Sequence, residues 1–160
     1  MTEIRVQVAD AATGQGDVVM CTVGLGSCVA IVLHDAEARV GGLAHVLLPS
    51  QSLSRDRENR AKFPSTAVPL LLEQMRALGA RPERVTAKIA GGASMFASLL
   101  PSSTLQMGER NIIATREALE RAKIPIVGQD VGGGYGRSVY FHVNSGAVDV
   151  RSLSKGDVRL

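Results

Sequence analysis

A chain of 160 residues, 45% apolar and 21% charged, is long enough to close a hydrophobic core as one domain over residues 1–160. Its net charge of +3 is too small for a nucleic-acid footprint, and 3% aromatics with no Trp exclude a base-stacking platform. Two cysteines, Cys21 and Cys28, do not make a secreted disulfide scaffold.

The first residues lack the basic and apolar regions of a signal peptide, and no apolar run reaches the length of a membrane span. The expectation is a cytoplasmic protein without membrane insertion, both thiols reduced. Ile4, Val6 and Val8 alternate with polar residues and predict a half-buried edge strand. Residues 11–17 carry two glycines and read as a turn, and residues 18–23 as a second strand ended by Gly24, Gly26 and Ser27. Residues 28–34 are almost continuously apolar, as in a strand buried on both faces. A tight turn at 35–38 returns the chain as a strand over 40–48, which Pro49 stops. The charge-dense segment 50–62 reads as a solvated connection or as a lid near a site.

Ser65 is expected to cap a helix running to Leu78, with Pro69 in its first turn and Gly79 at its end. Val68, Leu71, Leu72, Met75 and Leu78 would share its apolar face. A strand over 85–90 follows, then Gly91-Gly92 and a brief helix through Met95 and Phe96. A second helix is expected over 109–123, ended by Pro125, followed by strands at 126–130, 138–144 and 147–153 with a hairpin turn at Ser145-Gly146. Hairpins interrupted by two helices predict an α/β fold, a mixed and largely antiparallel sheet with helices packed on it.

The chemistry concentrates around Cys28. A hairpin symmetric about Ala36 and Glu37 sets Cys28 opposite His45, where directly opposed Cβ atoms lie about 4.5–5.5 Å apart. A slip of one residue would send His45 to the other face, and Gly41-Gly42 offer a place for a bulge. A thiol beside an imidazolium favours its thiolate. Gly26 and Ser27 let the backbone turn sharply, so that N–H groups at Ser27 or Cys28 face a developing oxyanion. The residues alone leave two readings open: a nucleophile with its base, or a buried structural cysteine after an ordinary glycine turn.

The stretch Thr22-Val-Gly-Leu-Gly-Ser-Cys28 together with Gly41-Gly42-Leu43-Ala44-His45-Val46-Leu47-Leu48-Pro49 resembles the CheD family of chemoreceptor glutamine deamidases. The likeness continues through Lys88-Ile89-Ala90-Gly91-Gly92-Ala93-Ser94-Met95, Gly108-Glu109-Arg110-Asn111, Asp130-Val131-Gly132-Gly133 and Gly136-Arg137, in family order. It implies an α/β sandwich related to toxin deamidases, a catalytic Cys28 and His45, and Thr22 orienting the imidazole. It also implies glutamines of methyl-accepting chemotaxis receptors as substrates and a CheC-like phosphatase as partner, which leaves a non-catalytic regulator of that phosphatase as the rival function. Phe63-Pro64-Ser65 stands where family members often carry an aromatic-Ala-Asp segment, and Ser94 where Asn is frequent.

The remaining candidates carry less. Cys21 should point away from Thr22 and serve packing, which makes a Cys21–Cys28 redox pair awkward. His34 and His142 show no metal-ligand spacing, so no metal is expected. The run Gly132-Gly133-Gly134-Tyr135-Gly136 lacks the Lys-Ser/Thr of a phosphate loop, and no cofactor is read from it. Asp130 and Arg137 flank that run and brace it, with a substrate contact by Arg137 as the other reading.

Overall fold

In the computed structural model, which describes residues 1–95, 99 and 106–160, two five-stranded sheets stack face to face and two helices cover the far side of one of them. The first sheet runs in the order β1 (Thr2–Arg5), β3 (Val18–Leu25), β8 (Arg137–His142), β9 (Val148–Ser152), β10 (Gly156–Arg159). The second runs β2 (Ala11–Gln15), β5 (Val40–Val46), β4 (Val29–Asp35), β6 (Thr86–Gly91), β7 (Ile126–Val131). Among the described residues, only β1 with β3 and β6 with β7 pair in parallel. The mixed, largely antiparallel α/β architecture therefore holds, with the strands divided between two sheets.

Two cores follow from the two-residue period of β4. Val29, Ile31 and Leu33 enter a core with Val68, Leu71 and Met75 of α1 (Pro64–Ala77) and Leu119 of α2 (Met107–Arg121). Ala30 and Val32 enter a second core between the sheets, against Met20 of β3 and Val139 and Phe141 of β8. Burial on both faces explains why this strand is apolar throughout.

Several expectations change. Residues 11–17 contain β2, which pairs with β5 from Ala11↔Ala44 to Gln15↔Val40. Apart from Thr13, its Ala and Gly residues carry little strand propensity, and the ladder rather than the side chains makes it a strand. The hairpin turn occupies residues 36–39, with Arg39 at φ 54°, so Val29 faces Val46 and Ala30, not Cys28, faces His45. That shift of two residues keeps Cys28 and His45 on one side of the sheet. The first helix begins two residues early, with Pro64 at its first position and Phe63, which offers no capping side chain, before it. Ser65 therefore caps nothing, and Pro69 falls beyond the first turn. Strand β10 was not foreseen. The brief helix through Met95 and Phe96 reaches outside the described residues. No helix among the described residues is long and apolar enough to cross a membrane.

Candidate active site

Thr22 on β3 and His45 on β5 project from opposite sheets into the space between them, and both are fully buried. Thr22 Oγ1 lies 2.6 Å from His45 Nδ1 and 2.7 Å from the carbonyl oxygen of Val6. A hydroxyl has one proton and a carbonyl can only accept, so Thr22 donates to Val6 and accepts from Nδ1–H of His45. The tautomer is thereby set, and Nε2 is left with its lone pair, buried and without a hydrogen-bond partner. The backbone of His45 is held as well: its N–H donates to Asp10 O at 3.0 Å, and its carbonyl accepts from Ala9 N–H at 2.9 Å.

Cys28 follows β3 and its turn and belongs to the same inter-sheet cluster as Leu25, Ala30 and Leu43. As the diagonal neighbour of His45 across the β4–β5 pair, it shares the buried face with the imidazole. Backbone hydrogen bonds lace its turn to the loop after β6: Gly92 N–H to Cys28 O at 2.7 Å and Ala93 N–H to Gly26 O at 2.9 Å. Gly91, at φ 109°, has to be glycine because any Cβ there would strike Cys28 O. Gly108 opens α2 against the carbonyls of Gly92 and Ala93 for the same reason of close approach. Among the described residues, the N–H groups of Ser27 and Cys28 have no backbone acceptor. A cavity of about 230 Å³ opens beside the turn, with Ser27, Ala93, Ser94, Met95 and Gly108 among its walls.

Electrostatics give the pair a resting state unlike the expected thiolate–imidazolium. Burial lowers the pKa of His45 from 6.5 to about 4, so the imidazole is neutral at pH 7. Burial also raises the Cys28 thiol above its ordinary value, opposed weakly by its own backbone N–H. Chemically, a neutral thiol and a neutral imidazole with a free lone pair are the pair of groups that a nucleophile and a general base require.

The other candidates sort out by their surroundings. The Arg137 side chain is wholly enclosed; Nη2 lies 3.2 Å from Asp130 Oδ1, Nη1 reaches the Tyr135 and Gly91 carbonyls, and the guanidinium lies over the Tyr135 ring. These contacts enclose the guanidinium and brace the glycine loop. Cys21 pairs in register with Tyr140 on the outer face of the first sheet, 3.8 Å from Glu3 Oε1 and on the side opposite Thr22. His34 Nε2 meets Val143 O and His142 Nε2 meets Asp149, both structural contacts. The 50–62 segment is fastened down, with Leu47 and Leu48 N–H donating to Lys62 O and Asn59 Nδ2 donating to Ala9 O.

Two participants were not singled out from sequence. The Val6 carbonyl carries no side-chain signal at all. Asn111 is fully buried on α2, and Nδ2 donates to Ser27 O at 2.9 Å and to Leu47 O at 3.1 Å. Its signal was a polar residue within the buried stripe that also holds Thr115, Ala118 and Leu119.

Fold and site together describe a two-sheet α/β protein with a thiol and an oriented imidazole on one buried face. The model of the family described as CheD chemotactic sensory transduction matches residues 47–152. A Caldanaerobacter subterraneus subsp. tengcongensis protein named "Probable chemoreceptor glutamine deamidase CheD" is 44% identical over 96% of this chain and 94% of its own length. A Geobacter metallireducens protein named "Probable chemoreceptor glutamine deamidase CheD 2" is 46% identical over 95% and 94%. The crystal structure of a Neisseria meningitidis protein of the DUF152 family model superposes with a TM-score of 0.46 at 13% identity, over 84% of this chain and 63% of that one. The chain belongs to the CheD family.

Proposed function

We propose that this protein is a chemoreceptor glutamine deamidase, one catalytic domain in which Cys28 is the nucleophile, His45 the base and Thr22 the residue that orients it. The observation that carries the reading is the Thr22 hydroxyl, which gives its proton to Val6 O and so leaves His45 Nε2 as a free base on the face of Cys28. The relatives' names supply the substrate class.

The glutamine side chain enters by the cavity beside Ser27. As Cys28 Sγ attacks the amide carbon, its proton passes to His45 Nε2, and the new oxyanion turns toward the N–H groups of Ser27 and Cys28. The imidazolium, its Nδ1–H still held by Thr22, protonates the leaving nitrogen, and ammonia departs from a thioester. Neutral His45 then takes a proton from water, which attacks the thioester carbon; glutamate leaves and the thiol is restored. The Gly26 carbonyl, fixed by Ala93, keeps the turn rigid through both half-reactions. Arg137 enters the proposal as a brace of the neighbouring loop.

A receptor cytoplasmic fragment incubated with the protein should show glutamine-to-glutamate conversion by mass spectrometry. Cys28→Ala should abolish it and His45→Asn should reduce it at least 10³-fold, since base and nucleophile act as a unit. Conversion by the Cys28→Ala protein at the unmodified rate would overturn the assignment. The proposal includes a CheC-like phosphatase as a regulatory partner, on family resemblance, to be tested by co-elution of the two purified proteins.

A further inference from the structure

Asn111 lies outside the proton path, yet it touches both arms of the site. Its single amide nitrogen binds the carbonyl of Ser27, the residue before Cys28, and that of Leu47, two residues past His45. Reversing the amide would set Oδ1 against two carbonyl oxygens, so the orientation follows from the acceptors. Oδ1 is buried and unpartnered, as is Thr115 Oγ1 one turn later on the same helix. Leaving a buried acceptor unsatisfied is costly, and the side chain keeps this geometry despite that cost.

The consequence lies in the peptide unit between Ser27 and Cys28. In a trans peptide the C=O and N–H point in opposite directions. With the Ser27 carbonyl drawn toward α2, the Cys28 N–H points to the other side. The Cys28 carbonyl is fixed independently by Gly92 N–H. The nucleophile's backbone is thus clamped on both sides, by a side chain before it and a backbone donor after it. Without the Asn111 amide, the Ser27–Cys28 peptide would be free to flip and present a carbonyl oxygen to the oxyanion.

Resting on the deamidase reading above, we infer that Asn111 is a positioning residue: it orients the Ser27–Cys28 peptide so that the Cys28 N–H serves as an oxyanion donor, and it ties that donor to the end of the strand bearing His45. It acts through the backbone of Cys28 and touches no substrate atom.

Two variants test this on the full-length protein with a receptor fragment. Asn111→Leu keeps the γ-branched shape, with somewhat more bulk, and removes both hydrogen bonds. Its kcat should fall about 10²-fold with KM within about twofold, the scale of losing one oxyanion donor. Alkylation of Cys28 by iodoacetamide, which develops no oxyanion, should keep its rate. Asn111→Asp cannot donate when ionised but can donate once when protonated. Its kcat should therefore rise as pH falls from 8 to 6, a limb absent from the unmodified protein. Wild-type kcat in Asn111→Leu, or equal losses of kcat and alkylation rate, would overturn the inference; so would an Asn111→Asp pH profile parallel to wild type should the Leu variant misfold. Failure of the unmodified protein to convert glutamine would instead remove the deamidase reading itself.

Discussion

At the scale of single residues, the base role proposed for His45 turns on the Thr22 hydroxyl, which sets the tautomer of the ring. Thr22→Val keeps the shape but leaves Nδ1–H without an acceptor in a dry site, an unmet donor that costs about 1–3 kcal/mol. The ring can then turn or change tautomer, and kcat should fall about 10–100-fold. Thr22→Ser, which retains the oxygen, should recover most of that loss, whereas a purely steric role would make Val the better replacement. The pH profile is informative for the same residue. Because burial holds His45 at about 4, the acid limb of kcat/KM should lie near pH 4 rather than near 6.5. A limb near 6.5 would mean that the imidazole is solvated in the working enzyme. Thiol alkylation should climb only at alkaline pH, since the Cys28 thiol is shifted upward.

At the scale of elements, Pro69 presents a case where the chain carries a local conflict. It stands six positions into α1 on an exposed face, so the carbonyl of Ser65 lacks its usual helical donor. Pro69→Ala should restore that hydrogen bond and raise stability by about 1–2 kcal/mol, less than the full proline penalty because the unfolded chain gains freedom too. Urea midpoints at constant m-value would register it, and an unchanged or lower midpoint would show that the helix is built around the bend. The same element shows what was legible in the sequence. Apolar spacing located α1, its buried face and every strand rich in Val, Ile or Leu, because burial writes that spacing directly. It missed β2, whose residues are held by the β5 ladder, and it misplaced the hairpin centre, because Arg39 adopts φ 54° where only a glycine would have advertised it. Cys28, His45 and Thr22 were legible as candidates from local motif and family likeness. Val6 was not, since its part is played by a carbonyl, and neither was the clamp by Asn111, which joins residues 84 and 64 positions away.

At the scale of the whole molecule, the candidate site is a seam between two sheets: Thr22 belongs to one, His45 to the other, and the hydrogen bond that orients the imidazole needs both in place. Stability and protonation are therefore linked through His45. Its folded pKa of about 4 lies below the ordinary 6.5, so the neutral ring contributes fully to stability above pH 6.5. As pH falls from 6.5 toward 4, the unfolded chain takes up a proton that the folded protein refuses, and stability declines by at most about 1.4 kcal/mol per pH unit for one such group. Below about pH 4 both states are protonated and this contribution levels off. His34, also shifted downward by burial, with its hydrogen bond to Val143 O opposing the shift, acts with the same sign. Denaturant titrations at pH 7, 6, 5 and 4.5 should show the decline, and His45→Asn should flatten its slope even where the lost packing lowers stability overall. A slope unchanged by His45→Asn would place the acid sensitivity elsewhere, in His34. The Asp149 pKa is held at about 2 by Arg159 and His142, so its contribution is present above its ordinary range near 3.8 and lost only below it. The carboxylate window lies below that of the two histidines, so the loss between pH 6.5 and 4.5 belongs to His45 and His34, and the His45→Asn series separates one from the other.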